Sequence, residues 1–208
     1  MLLKKNQSKA PVADALSVED AMEQIAHPEA AKRREAAVAL HGEEGAVDVL
    51  AGCLRQEERQ SVRGAAVSSM IAIGSDDVVD FFIEQLRGDE ADRRNEAVYA
   101  LQQLPEQSAL KIQSLLNESE PDMRIMAVDV IRLLTIPDAH LWLRALLARE
   151  NHPNVVGVAV DRLCEIGSVE DLPTLEETKS RFAYDPYIQF AIDHAITRII
   201  RLDAEEPI

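Results

Sequence analysis

The chain has 208 residues, of which 47% are hydrophobic but only 4% aromatic, and its formal net charge is −15. Proteins that bind the backbone of nucleic acids or an anionic membrane surface depend on Lys and Arg, so this charge argues against both classes and favours a basic or neutral protein partner. The scarcity of aromatic residues suits closely packed helices rather than a β-sandwich.

The first predicted element is a flexible tail at residues 1–16, and apolar periodicity then predicts the first helix of a repeated pair. Six such first helices follow one another along the chain, and they cover residues 18–25, 47–54, 78–86, 110–116, 141–147 and 172–182. Gly74 and Gly167 stand where a glycine that ends a helix is expected. Residues 203–208 form the last predicted segment, an acidic end.

A second helix is predicted after each first helix, because six segments share one pattern. Two of them are Arg-Arg-Glu-Ala-Ala-Val-Ala-Leu, which ends at Leu40, and Arg-Asn-Glu-Ala-Val-Tyr-Ala-Leu, which ends at Leu101. One position is always alanine, at intervals of 30 to 32 residues: Ala36, Ala66, Ala97, Ala127, Ala159 and Ala191. The next residue and the residue four positions on are apolar, so the three lie on one helical face. The unit is a helical hairpin, which must stack on its neighbours to bury that face.

This unit, a turn with Pro or Asp followed by Arg, Ala-Ala or Ala-Val and Leu, resembles the HEAT repeat. It is most similar to the short bacterial form known as the phycobilin-lyase HEAT-like repeat. The resemblance implies an all-α fold, a right-handed α-solenoid of about six helical hairpins over residues 17–202. Val156 and Ile188 depart from the pattern, because they stand where the repeat has arginine.

A column of arginines precedes the alanines in the first four repeats, at Arg33, Arg63, Arg94 and Arg124. A cation near the N-terminus of a helix is unfavourable for the helix dipole, so we expect these residues to serve packing. They are predicted to hydrogen-bond carbonyl groups or acids such as Asp92 and Asp122. The alternative interpretation is a row of contacts to a bound anion.

The exposed side of the second helices is the predicted binding surface, because the resemblance implies that these helices line the concave face. The residue two positions after each alanine is, in order, Val38, Ser68, Tyr99, Asp129, Asp161 and Asp193. Acidic residues with apolar neighbours suit a basic or amphipathic segment of a partner protein. The predicted partner-binding residues are Asn95, Glu96, Tyr99, Gln102, Met126, Asp129, Arg132, Asp161, Gln189 and Asp193. The alternative is a solvated face of an acidic protein.

Sequence signatures of catalysis are missing. The five histidines are scattered, with no Cys-x-x-Cys pair to add metal ligands, and no nucleophile or phosphate-binding motif occurs. The HEAT-like deoxyhypusine hydroxylases carry repeated His-Glu pairs, and this chain has none. Cys53 and Cys164 lie in different repeats, so a disulfide is not expected, which fits a reducing compartment. No enzyme activity, metal or cofactor is predicted.

The function predicted from these patterns is that of a non-catalytic scaffold, adaptor or assembly factor that binds a protein in the cytoplasm. The resemblance adds an alternative, a bilin lyase-like maturation factor or chaperone, although few aromatic residues and a negative charge disfavour a pocket for a tetrapyrrole with propionates. A third alternative is a nucleic-acid repair protein on an alkylation-repair type of helical scaffold, which needs a basic strip. No apolar run is long enough to predict a transmembrane helix.

Overall fold

Helices joined by short turns make up the part of the chain that the computed structural model describes, which is residues 16–134, 136–137 and 139–205. There are twelve α-helices in these ranges: α1 (Val18–Gln24), α2 (Ala30–Ala39), α3 (Val47–Gln56), α4 (Gln60–Ile73), α5 (Asp76–Leu86), α6 (Ala91–Gln102), α7 (Pro105–Leu115), α8 (Pro121–Ile131), α9 (Ala139–Leu147), α10 (Pro153–Ile166), α11 (Leu172–Arg181) and α12 (Pro186–Glu205). No strand occurs in the described ranges. The predicted all-α fold of six helical hairpins is confirmed, with odd-numbered helices first and even-numbered helices second in each pair.

The helices group into two compact units, one with α1 to α4 that ends at Ile73 and one with α5 to α12 that begins at Gly74. In the first unit α2 packs on α4, and in the second unit α6, α8, α10 and α12 pack on one another in sequence. The predicted tail at 1–16 lies almost wholly outside the described residues, as does the end of the acidic segment 203–208. Helix α12 extends to Glu205.

Local chemistry explains where the helices begin. Ser17 and Ser75 cap α1 and α5, because their hydroxyls accept hydrogen bonds from backbone N–H groups of the first turn. Helices α7, α8 and α10 begin with Pro105, Pro121 and Pro153. Proline suits the first position of a helix, because an N–H group there would have no acceptor within the helix and its absence costs no hydrogen bond.

The alanine column is the centre of the packing, as the sequence predicts. The first five alanines are completely buried, and Ala191 is 8% exposed. The residue four positions on is completely buried in every repeat: Leu40, Met70, Leu101, Ile131, Leu163 and Ala195. Within each unit, a methyl group at the alanine position lets the second helices of successive repeats approach closely, which confirms the predicted register.

The two glycines that were expected to end helices differ in conformation. Gly74 has φ +60° and so adopts the left-handed conformation of a helix-ending glycine. Gly167 ends α10 as the sequence predicts, but with φ −71° and ψ 163° its backbone is extended rather than left-handed. Its small size serves packing instead, because a Cβ atom would lie 2.5 Å from the carbonyl oxygen of Leu163 and 3.0 Å from Cδ1 of Ile199.

Two arginines of the column, Arg33 and Arg124, each bind a glutamate of the next repeat in an arrangement that we call the carboxylate clasp. Arg33 donates from Nε and Nη2 to both oxygens of Glu57, at 2.6 and 3.0 Å, and from Nη1 to the carbonyls of His27 and Pro28. Glu57 belongs to the turn of the next repeat and also accepts hydrogen bonds from the backbone N–H groups of Glu58 and Arg59. The clasp therefore fastens one hairpin to the next.

The second clasp repeats this geometry. Arg124 donates from Nε and Nη2 to Glu150 at 2.6 and 3.0 Å, and from Nη1 to the carbonyls of Glu118 and Ser119. The N–H groups of Asn151 and His152 complete the set of donors around Glu150. The structural interpretation of the arginines is confirmed for these pairs, but their acidic partners are Glu57 and Glu150 rather than Asp92 and Asp122.

Candidate protein-binding surface

The second-helix face of residues 74–208 is the side of α6, α8, α10 and α12 that lies opposite the buried alanines. Tyr99 is 55% exposed there, Asp161 and Asp193 are exposed, and Asp129 is half-buried. Each stands two positions after its alanine, on consecutive helices that pack together. The structure therefore places these four predicted residues in one row.

The three aspartates of this row differ in their electrostatic surroundings. Partial burial raises the pKa of Asp129, and Arg132 opposes the shift. Neighbouring groups that displace water also raise the pKa of Asp161, although its side chain is exposed, and the like charge of Glu165 adds to the shift. Asp193 forms an ion pair with Lys179, and its Oδ1 lies 2.5 Å from Nζ of that lysine. Asp129 and Asp161 thus carry charge that is incompletely solvated, whereas Asp193 already has a cation beside it.

The remaining predicted residues divide by exposure. Asn95 and Arg132 are exposed, and Glu96 and Met126 are half-buried. Gln102 is buried, and its amide donates to the carbonyl of Asp129 on the next second helix at 2.8 Å.

Gln189 is half-buried and is engaged in the structure of its own hairpin. Its amide donates to the carbonyls of Lys179 and Phe182, at 2.7 and 3.1 Å. Gln102 and Gln189 therefore hold helices together, and their amides do not point freely to the surface.

Phe190 is an aromatic residue that was not predicted and that extends the face on α12. Phe190 is 71% exposed, and its ring stacks on that of His194 with centroids 6.4 Å apart and an interplanar angle of 15°. Tyr187 is 59% exposed as well, but it stands four positions before Ala191, on the alanine side of α12, where it covers Gly157 of α10. The sequence contains the signal for Phe190, because this residue immediately precedes Ala191, just as the predicted binding residue Met126 immediately precedes Ala127.

Cys164 lies beneath this face, with Sγ 3.5 Å from Nδ1 of His194. Burial raises the pKa of both thiols, Cys53 and Cys164, so each stays protonated at neutral pH and is a poor nucleophile. Cys53 and Cys164 are both free thiols. Among the described residues, no three His, Cys, Asp or Glu side chains are placed to hold a metal ion. None of the described helices has both the length and the apolar character needed to cross a bilayer.

The repeat pattern also occurs in a known protein family. Residues 18–102 match the protein family described as HEAT repeats, which confirms the resemblance inferred from the sequence. The chain is 25% identical over 195 residues to the uncharacterized phycocyanin operon protein Z of Pseudanabaena tenuis, an alignment that covers 88% of this chain and 96% of that protein. Two engineered proteins of known structure, 15% and 18% identical, align over 88% of this chain and 96% and 98% of theirs, with TM-scores of 0.43 and 0.42.

Proposed function

We propose that this chain of HEAT repeats is a non-catalytic scaffold, adaptor or assembly factor whose second-helix face binds a basic or amphipathic segment of another protein. The observation that carries the proposal is the combination of exposed aromatic rings, Tyr99 and Phe190, with incompletely solvated carboxylates, Asp129 and Asp161, on one face.

The aromatic rings supply the apolar part of such an interface. Phe190 is a large ring that is exposed over most of its surface, although Phe is usually buried. Exposed aromatic side chains are frequent at the centre of protein interfaces, where desolvation of the ring stabilises the complex. The stacked ring of His194 restricts the motion of Phe190 and lowers the entropy that binding costs.

The carboxylates supply charge complementarity. A Lys or Arg side chain of the partner would stabilise the ionised forms of Asp129 and Asp161, which loss of surrounding water now disfavours. The net charge of −15 also attracts a basic partner at long range and raises the rate of encounter.

Affinity purification from the native host, followed by identification of the co-purifying proteins, provides the partner for a quantitative test. We expect Phe190→Ala and the double variant Asp129→Asn with Asp161→Asn each to weaken binding, by about tenfold for the ring. Leu110→Ala is the matched apolar control, since Leu110 is 77% exposed on α7, which is the first helix of its hairpin and lies outside the proposed face. Glu106→Gln with Glu177→Gln, both exposed on first helices, is the matched charge control. Equal loss in the control variants, or full affinity in the test variants, contradicts the proposal.

The similarity to a protein of a phycocyanin operon favours a second candidate, a bilin lyase-like maturation factor or chaperone. The lyase form predicts a new visible absorption band when the protein is mixed with a free bilin. The chaperone form predicts binding to a phycocyanin subunit through the second-helix face, without that band. Absence of both signals removes this candidate and leaves the general binding proposal intact.

A further inference from the structure

The carboxylate clasp has a third copy in which the carboxylate is missing. In the two complete copies, four N–H donors surround one carboxylate: Nε and Nη2 of the arginine and two consecutive backbone N–H groups of the next turn. The glutamate always stands three residues before a second helix, as Glu57 does before α4 and Glu150 before α10. Arg94 and the turn before α8 have the same sequence positions.

Arg94 begins the clasp as the other arginines do, with a hydrogen bond from Nη1 to the carbonyl of Gly88 at 2.8 Å. Glu118 stands at the position of the clasp glutamate, three residues before α8. Its Oε1 accepts instead from Nη2 of Arg87 at 2.7 Å. Within the described residues, no carboxylate pairs with Arg94, and the backbone N–H groups of Ser119 and Glu120 have no acceptor. The donors of the clasp are present without their anion.

A cavity of about 530 Å³ borders Arg94. Apolar side chains form much of its wall, and they are Leu86, Met123, Ile125 and Met126. A cavity of this size accommodates a ligand larger than a bare carboxylate. The ligand that fits both parts of the site has a carboxylate for the donors and an apolar stem for the wall.

We propose that Arg94, together with the backbone N–H groups of Ser119 and Glu120, binds a carboxylate carried on an apolar stem. The guanidinium fork of arginine matches the two oxygens of a carboxylate, and such bidentate bonds are among the stronger polar contacts in proteins. The source of the carboxylate is either an acidic residue of a partner chain or a small organic acid. This site is separate from the row of Tyr99 and the aspartates, and it does not depend on the function proposed above.

The acidic residues around the cavity make a specific prediction about salt. Arg87, whose charge is paired with Glu118, lines the cavity, and so do three acids that are exposed to water, Asp89, Glu120 and Asp122. Their repulsion of an anionic ligand is screened by salt, because the Debye length is about 8 Å at physiological ionic strength. Binding through the Arg94 fork should therefore persist as salt increases, unlike attraction to a diffuse positive surface.

The test is a nuclear magnetic resonance titration of the whole chain, which follows the side-chain Nε–H signals of the arginines and the backbone N–H signals of Ser119 and Glu120. The probe is isovalerate, and chloride at equal ionic strength is the control. We expect the signals of Arg94, Ser119 and Glu120 to shift and saturate. Arg33 and Arg124 are internal controls, because Glu57 and Glu150 already occupy their clasps. Arg94→Lys keeps the charge but removes the fork, and we expect it to raise the Kd about tenfold or more.

A second arm separates the two sources of the carboxylate. An acetylated and amidated peptide that contains Leu-Glu is compared with the same peptide containing Leu-Gln. Saturating shifts with isovalerate indicate a small acid, and shifts with the Leu-Glu peptide alone indicate a partner side chain. Either result supports the site. The proposal is overturned if neither probe shifts Arg94 more than Arg124, or if the Leu-Gln peptide acts as strongly as Leu-Glu.

Discussion

At the scale of single residues, hydrogen-bond partners decide which predicted roles hold. Tyr99, Asp161 and Asp193 are exposed as the sequence predicts, because their offset from the alanine column places them on the opposite side of the helix. The same periodicity gave no sign that Gln102 and Gln189 bind backbone carbonyls. Helical spacing determines on which side of the helix a residue lies. The hydrogen-bond partner of a side-chain amide depends instead on which nearby backbone carbonyl groups lack a donor.

The clasp glutamates give a residue-scale prediction about pH. Burial raises the pKa of Glu150, but hydrogen bonds from Arg124 and from two backbone N–H groups outweigh burial, so the net pKa is lowered from 4.5. A carboxyl whose pKa is lowered in the folded state stabilises the fold above its unfolded pKa, and this stability is lost as pH falls through the folded value. We therefore expect Glu150→Gln to reduce the free energy of unfolding at pH 7 by about 2 kcal/mol.

Urea unfolding of the wild type and Glu150→Gln at pH 7 and below pH 4.5 measures this effect. The difference between the two proteins should shrink in acid, because the wild-type carboxyl then becomes protonated and loses its charge-assisted hydrogen bonds. Glu106→Gln, at an exposed position on α7, should leave the unfolding free energy nearly unchanged at both pH values. A difference that is the same at both pH values contradicts the assigned role of the charge.

At the scale of the helices, the sequence predicts each hairpin well, because apolar periodicity and proline at helix starts are local signals. Gly167 ends α10 as the sequence predicts, but the sequence gives no sign that its small size also serves packing. The reason for this glycine is the closeness of Leu163 and Ile199, one a neighbour in the chain and the other a residue of α12. A contact between residues that are distant in sequence leaves no local pattern, and so it could not be predicted.

A larger side chain in the alanine column should destabilise the packing of the second helices on one another. Ala127 is completely buried between second helices, so Ala127→Leu inserts extra atoms into a filled space and should cost about 1–3 kcal/mol. Gln103→Leu, at an exposed position just after α6, is the control for the added apolar surface. Thermal unfolding followed by circular dichroism measures both variants. An unchanged Tm for Ala127→Leu means that the stack has room for the larger side chain.

Gly157 inside α10 and Gly167 just after it should respond in opposite directions to an added methyl group. At Gly157 a Cβ would lie 3.1 Å from Cε1 of Tyr187, whose exposed ring has room to move, so Gly157→Ala should gain helix propensity of up to about 1 kcal/mol. At Gly167 the same atom meets the backbone oxygen of Leu163 at 2.5 Å, and Gly167→Ala should destabilise the fold. Urea unfolding of the two variants side by side tests the pair. The reverse order contradicts the packing described for α10 and α12.

At the scale of the whole molecule, periodicity and composition answer different questions. The spacing between Ala66 and Ala97 is as regular as elsewhere, and so the period carries no sign that the chain divides into two compact units after Ile73. The period records the length of a hairpin and not how hairpins group. The net charge of −15 is a property of the whole chain, and it bears on the kinetics with which a partner is captured.

The proposed binding face predicts two kinetic signatures that depend differently on salt. Asp129→Asn with Asp161→Asn should lower the association rate most strongly at low salt, because these carboxylates attract the approaching partner and salt screens exposed charges. Phe190→Ala should raise the dissociation rate at all salt concentrations, because a ring stabilises the complex through desolvation and packing. Asp193→Asn should have a smaller effect than Asp161→Asn, since Lys179 already lies beside that carboxylate. Surface plasmon resonance with the purified partner at two salt concentrations separates these effects. If the aspartate variants change only dissociation, without salt dependence, the carboxylates act by direct contact inside the interface and long-range attraction does not govern capture.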